Sequence, residues 1–178
     1  MQKHWNLLCI SVFVLFLAAC APVSPQKFFE QAVLNTNLIN DFDPTSFGKT
    51  LEQNTIEYPD IPSSKKKGDE AQEAVKTKIL TSERALENIK KLSTNDDETK
   101  AIKENSIALF EMVIPVYKNE YMQYAKLCDT KGSDEEKAAI LTKIEQDYAP
   151  KVYQQLDALY QKGKVYAEKN DINVNWGR

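Results

Sequence analysis

One histidine, His4, and three cysteines, Cys9, Cys20 and Cys128, are all the imidazole and thiol in this 178-residue chain. A Ser-His-Asp or Cys-His relay needs an imidazole beside its nucleophile. A zinc site draws on clustered His and Cys, and a di-iron helical bundle on Glu-x-x-His pairs. A lone His at the start of the chain supplies none of these, so no metal and no cofactor is expected. Carboxylates are plentiful at Glu83, Glu87, Glu104, Glu111 and Glu120; without His beside them they read as solvated helix faces. Asp129–Glu136 has the polarity of a calcium loop, but Lys131 stands at the third position, where an oxygen ligand belongs. A turn followed by a helix cap explains that stretch better. No Gly-rich phosphate loop and no nucleophile elbow occurs. With 23 basic against 26 acidic residues there is no basic surplus for nucleic acid. The expectation is a protein that is not an enzyme.

The start of the chain explains where the histidine goes. Lys3 and His4 precede an apolar run from Leu7 to Leu17, broken only by Ser11, with no acidic residue before Glu30. That run is about half the roughly 20 residues a membrane span needs, and with small residues after it the pattern is that of a secretory signal peptide. Leu17-Ala18-Ala19-Cys20 resembles the lipobox of bacterial lipoproteins at all four positions. The resemblance covers residues 1–20. It implies cleavage before Cys20, a diacylglycerol on its sulfur and a further acyl chain, such as palmitate, on its amine. Two or more acyl chains anchor stably where one does not. Ala21 follows, not the Asp that retains such proteins in an inner membrane, which points to the outer membrane. Processing removes His4 and Cys9 and lipidates Cys20. Cys128 is then the only thiol: either a small buried apolar residue or a reactive group able to cross-link a dimer.

These features divide the chain into a signal peptide (1–19), a lipidated tether (20–25), one helical domain (26–170) with an irregular crossover at 41–68, and a polar tail (171–178). Ser24-Pro25 reads as a cap and first helical residue. Phe28, Phe29, Ala32, Val33, Thr36 and Ile39 follow at helical spacing, giving a first helix over about 25–40, weakened by Asn35, Asn37 and Asn40. Asp43-Pro44 starts at most one short turn carrying Phe47 and Leu51. Lys65-Lys66-Lys67 falls short of the 4–8 charges of a membrane-binding cluster. Three long amphipathic stretches come next, over about 69–93, 97–128 and 134–168, separated by short turns near 95 and 131. Short turns force antiparallel neighbours. The expected fold is all-α: an antiparallel bundle of three long helices plus a shorter N-terminal helix.

Two prolines interrupt this pattern. Pro115 and Pro150 lie inside long helical stretches, where each removes a backbone bond, frees the carbonyl of Glu111 or Gln146, and bends the helix. Across the turn near 131, residue 115 faces about 147 and residue 150 about 112, so both bends fall in one layer with Tyr117 and Tyr148. On the other neighbour the matching residue is about Val75. The layer is either a cleft lined by Glu111, Tyr117, Gln146 and Tyr148, the candidate binding residues, or a matched bend around a filled core. Tyr117, Tyr121 and Tyr124 form a one-sided ladder, read as a core edge or as an interface.

The sequence is similar overall to small helical lipoproteins of unknown function in Gram-negative envelopes, with no single family matched. It implies a lipid-anchored module, facing the periplasm, that meets the membrane through Cys20 and binds a protein or envelope component. Two other readings stand beside it: an inhibitor or immunity lipoprotein neutralising a toxin or hydrolase, and a carrier of a small apolar ligand.

Overall fold

The computed structural model describes residues 23–176. The signal segment, Leu17–Cys20 and Ala21 lie outside the described residues. Among the described residues the protein is 77% helix with no strand, and no helix is long and apolar enough to cross a membrane. The elements are α1 (Pro25–Ala32), a 3-10 stretch (Leu34–Ile39), α2 (Pro44–Asn54), a 3-10 turn (Pro62–Ser64), α3 (Glu70–Lys90), α4 (Asp97–Val116), a π segment (Tyr117–Tyr121), α5 (Met122–Asp129), α6 (Asp134–Lys143), a second π segment (Ile144–Tyr148) and α7 (Ala149–Lys169). The helix stays unbroken from α4 through α5 and from α6 through α7. The three long helices expected from the pattern are therefore all present, antiparallel, with a shorter N-terminal helix beside them.

The chain rises, descends, rises and descends. The first column comes in two pieces: α1 touches α3, α4 and α7, while α2 touches α3, α5 and α6. Ser24 Oγ accepts from Lys27 N at the start of α1, and Asp43 caps α2 through Thr45 N. The single turn expected at Asp43-Pro44 is an 11-residue helix, because Phe47, Gly48 and Leu51 all find buried places on the bundle. The irregular crossover shrinks to the segment between Asn54 and Glu70, which joins α2 and α3 at one end of the molecule. Gly68 turns there at φ 93, and Lys67 N and Gly68 N both donate to the Glu70 carboxylate.

α3 begins without a cap of its own: Asp69 makes no side-chain cap hydrogen bond. Asp129, at the end of α5, does the work instead. Its two oxygens accept from Ala71 N (2.9 Å), Gln72 N (3.1 Å) and Gln72 Nε2 (3.0 Å). A carboxylate aimed at the first turn satisfies orphan donors and complements the helix dipole. The pseudo-calcium stretch thus ties two helices together.

The tail is not a free polar extension. Ile172, Val174 and Trp176 pack on the core. The Trp176 ring meets Phe29 edge-on at 5.8 Å and Tyr160 at 6.0 Å. Gly163 makes the room: a Cβ there would stand 2.9 Å from Val33 Cγ1 and 3.4 Å from Trp176.

Candidate functional site

Both prolines are exposed, and each lies beside one of the two π segments. A proline cannot donate to the carbonyl one turn back and its ring crowds that carbonyl. An inserted residue, which is what a π segment adds, opens the ladder locally. At the same height the first column is itself broken between Ile39 and Pro44. Three of the four columns depart from the α-helix in one layer.

Aromatic side chains fill that layer. Phe42 and Phe47 each meet Tyr117 and Tyr121 edge-on, at centroid distances from 4.9 to 5.9 Å. Tyr117 and Tyr121 are fully buried, and burial pushes both phenols well above their usual range. Tyr121 donates to the carbonyl of Phe42. Tyr117 Oη is buried and finds no partner. Lys78 bridges the layer to α3, with Nζ 2.7 Å from Asp41 and 3.0 Å from the Leu38 carbonyl.

The polar centre of the layer is Glu120. It is buried, and its Oε1 accepts from Tyr148 Oη at 2.8 Å and from Lys143 Nζ at 3.0 Å. Lys143 also lies 5.9 Å over the Tyr148 ring. Burial works to raise the Glu120 carboxyl; the bonds from Lys143 and Tyr148 outweigh it and leave it below its usual value. The same carboxylate raises Lys143 and Tyr148. One carboxylate from the first π segment therefore ties down Lys143, the residue just before the second, and Tyr148, the residue that ends it.

The four candidate binding residues do not converge on one opening. Tyr117 turns into the core against Phe42 and Phe47. Glu111 is exposed and pairs with Lys90 of α3 at 2.6 Å. Gln146 is exposed. Tyr148 alone touches the polar centre, through Glu120. The cleft gives way to the other alternative, a filled bend, because Phe42 and Phe47 from the first column occupy the space the bent helices enclose. The level on α3 is also corrected. Glu83 pairs with Lys118 at 2.6 Å, so Pro115 faces residues near 85, not Val75. Glu120 is corrected as well: it is not on a solvated face. Its signal was in the sequence, three residues after Tyr117 and four before Tyr124, on the stripe of the tyrosine ladder.

Cys128 is buried, and burial pushes its thiol up to about 11, which removes the thiolate needed for reactivity. Among the described residues no group of three His, Cys, Asp or Glu is placed to hold a metal ion.

A feature suited to recognition lies at the α2–α3 end. Ile56, Tyr58 and Ile61 are 43%, 56% and 50% exposed. A turn presents them: Ile61 N donates to Tyr58 O at 2.9 Å. Ser64 Oγ accepts from Tyr58 N and donates back to the carbonyls of the turn. Glu57 accepts from Lys66 N at 2.7 Å. Pro59 and Pro62 stiffen it further. No family model, no curated protein and no solved structure matches the chain, so its function is read from its own residues.

Proposed function

We propose that this protein is a non-enzymatic lipoprotein of the cell envelope, anchored by lipid on Cys20 in the outer membrane, that binds a protein partner with the exposed turn of residues 56–61. The anchor rests on Leu17-Ala18-Ala19-Cys20. The binding role rests on one observation: three large apolar side chains held in solvent by a hydrogen-bonded turn. Each is about half exposed, so covering the remainder would provide roughly half of the 1.5–3 kcal/mol of full burial, while a rigid presentation lowers the entropy lost on docking. An aromatic anchor flanked by aliphatic groups suits the enclosed centre of an interface. Against catalysis stand the saturated Glu120 carboxylate, the buried Cys128 thiol and a single His in the segment that processing removes. A carrier role has less support, since Phe42, Phe47, Tyr117 and Tyr121 fill the layer a ligand would need.

The test is photo-crosslinking in intact cells from residue 58. The reading expects one discrete adduct that Ile56→Asp with Ile61→Asp removes while the protein level holds. Adducts no different from those formed from exposed Lys162 would overturn it.

A further inference from the structure

The anchor reading, on which this inference rests, also fixes which end of the bundle meets the membrane. Val23 packs on the core and Ser24 caps α1, so the folded domain begins there. Ala21 and Pro22 alone separate it from Cys20, at most about 11 Å of chain. The six-residue tether expected from the sequence is therefore cut to two residues, and the domain cannot stand off from its bilayer.

Three elements meet where α1 begins. Val23 and Phe28 share a groove of about 300 Å³ with Asp96 and Glu98, from the α3–α4 turn and the start of α4, and with Tyr166 and Lys169, from the end of α7. The Phe28 and Tyr166 rings meet at a tilt, 5.4 Å between centroids, in its floor, and Lys169 pairs with Glu98 at 2.7 Å on its rim. Asp96 spends its carboxylate on the cap of α4 through Thr99 N. From this end α7, the π segment and α6 run on without interruption, 21, 5 and 10 residues, or about 50 Å at the helical rise. The α2–α3 segment, with Ile56, Tyr58, Ile61 and Lys65–Lys67, lies at the far end, beside the α5–α6 turn: Thr55, Lys66 and Lys67 line one opening with Asp129 and Lys131.

We infer that the end formed by the start of α1, the α3–α4 turn and the end of α7 is a bilayer-docking face, so that the bundle stands upright on the membrane that holds its lipid. A rim carrying both signs beside an aromatic floor suits zwitterionic headgroups, and the turn of residues 56–61 is carried about 50 Å outward.

The experiment uses the full lipidated protein in vesicles of three parts phosphatidylethanolamine to one part phosphatidylglycerol, with a headgroup-labelled acceptor lipid. A donor dye goes on Asn95→Cys or on Lys65→Cys; buried Cys128 stays unlabelled. The expected result is strong quenching at position 95 and at least threefold less energy transfer at position 65. Equal transfer from protein that floats with the vesicles overturns the upright docking and leaves the anchor standing. Protein that does not float overturns the anchor and this inference with it.

Discussion

Tyr117 and Tyr121 differ at a single atom pair, and their phenylalanine variants should differ in sign. A buried hydroxyl without a partner costs about 1–3 kcal/mol; Tyr117 Oη is such a group. Tyr117→Phe should hold or raise the melting temperature. Tyr121→Phe should lower it, by about 0.5–1.5 kcal/mol of stability, because the Phe42 carbonyl loses its donor. Thermal denaturation of both checks this, and a larger loss at Tyr117 would contradict it. Glu120 sets a pH dependence. Its folded pKa is depressed, so its contribution is present above the unfolded value, near 4.3, and is lost as pH falls through the lower folded value. Lys143 and Tyr148 are raised, so theirs holds at neutral pH and fades in the alkaline range. Glu120→Gln should cost about 1–3 kcal/mol at pH 7, and the gap from wild type should narrow below pH 4. An unchanged gap measured by urea denaturation at pH 7 and pH 3 would contradict the assignment. Periodicity put Glu120 on the tyrosine stripe, yet its charge argued for solvent. Lys143 and Tyr148, which make burial tolerable, come from another helix, and one chain segment does not reveal them.

The long helices were legible because each carries an apolar stripe and punctuated ends: Asp96 and Ser133 cap where the spacing predicts. Two features were not legible. The cap of α3 comes from Asp129, nearly sixty positions downstream. The docked tail depends on Gly163 yielding space to Val33 and Trp176. Both are tertiary facts with no local pattern. Pro115 and Pro150 did foretell interruptions at one level, though as bends; the structure adds π segments beside them. A π segment is an extra residue in an α-helix. Deleting exposed Gln146 should therefore leave the helix faces on either side in register and cost little. Deleting exposed Glu87 from regular α3 rotates everything beyond it by about 100° and should abolish cooperative unfolding. Circular dichroism melts compare the two. Equal damage would mean that the second π segment is not an insertion the fold can shed.

At the scale of the whole molecule, the four columns form a post that ties its N-terminal segment down along its length: Trp176 holds Phe29 near one end, Tyr121 and Lys78 hold the middle, and Lys137 reaches Glu52 at 3.4 Å near the other. The all-helical architecture was readable from stripes and turns. The exposed apolar turn proposed to bind a partner was not, because Ile56, Tyr58 and Ile61 fall in a stretch whose sequence shows only a break in periodicity. If the proposed anchor holds, a post with its base at the lipid and an apolar turn at its tip would present a contact away from the membrane. The claim on which this depends is the lipid at Cys20. Intact-mass and N-terminal peptide mass spectrometry of the protein isolated from the envelope tests it most directly. Lipidation at Cys20 would give a mature chain beginning at Cys20, heavier than the polypeptide by a diacylglyceryl group and an N-linked acyl chain, and a Cys20→Ser variant that keeps residues 1–19. A mature chain that begins elsewhere, or that begins at an unmodified Cys20, would contradict it.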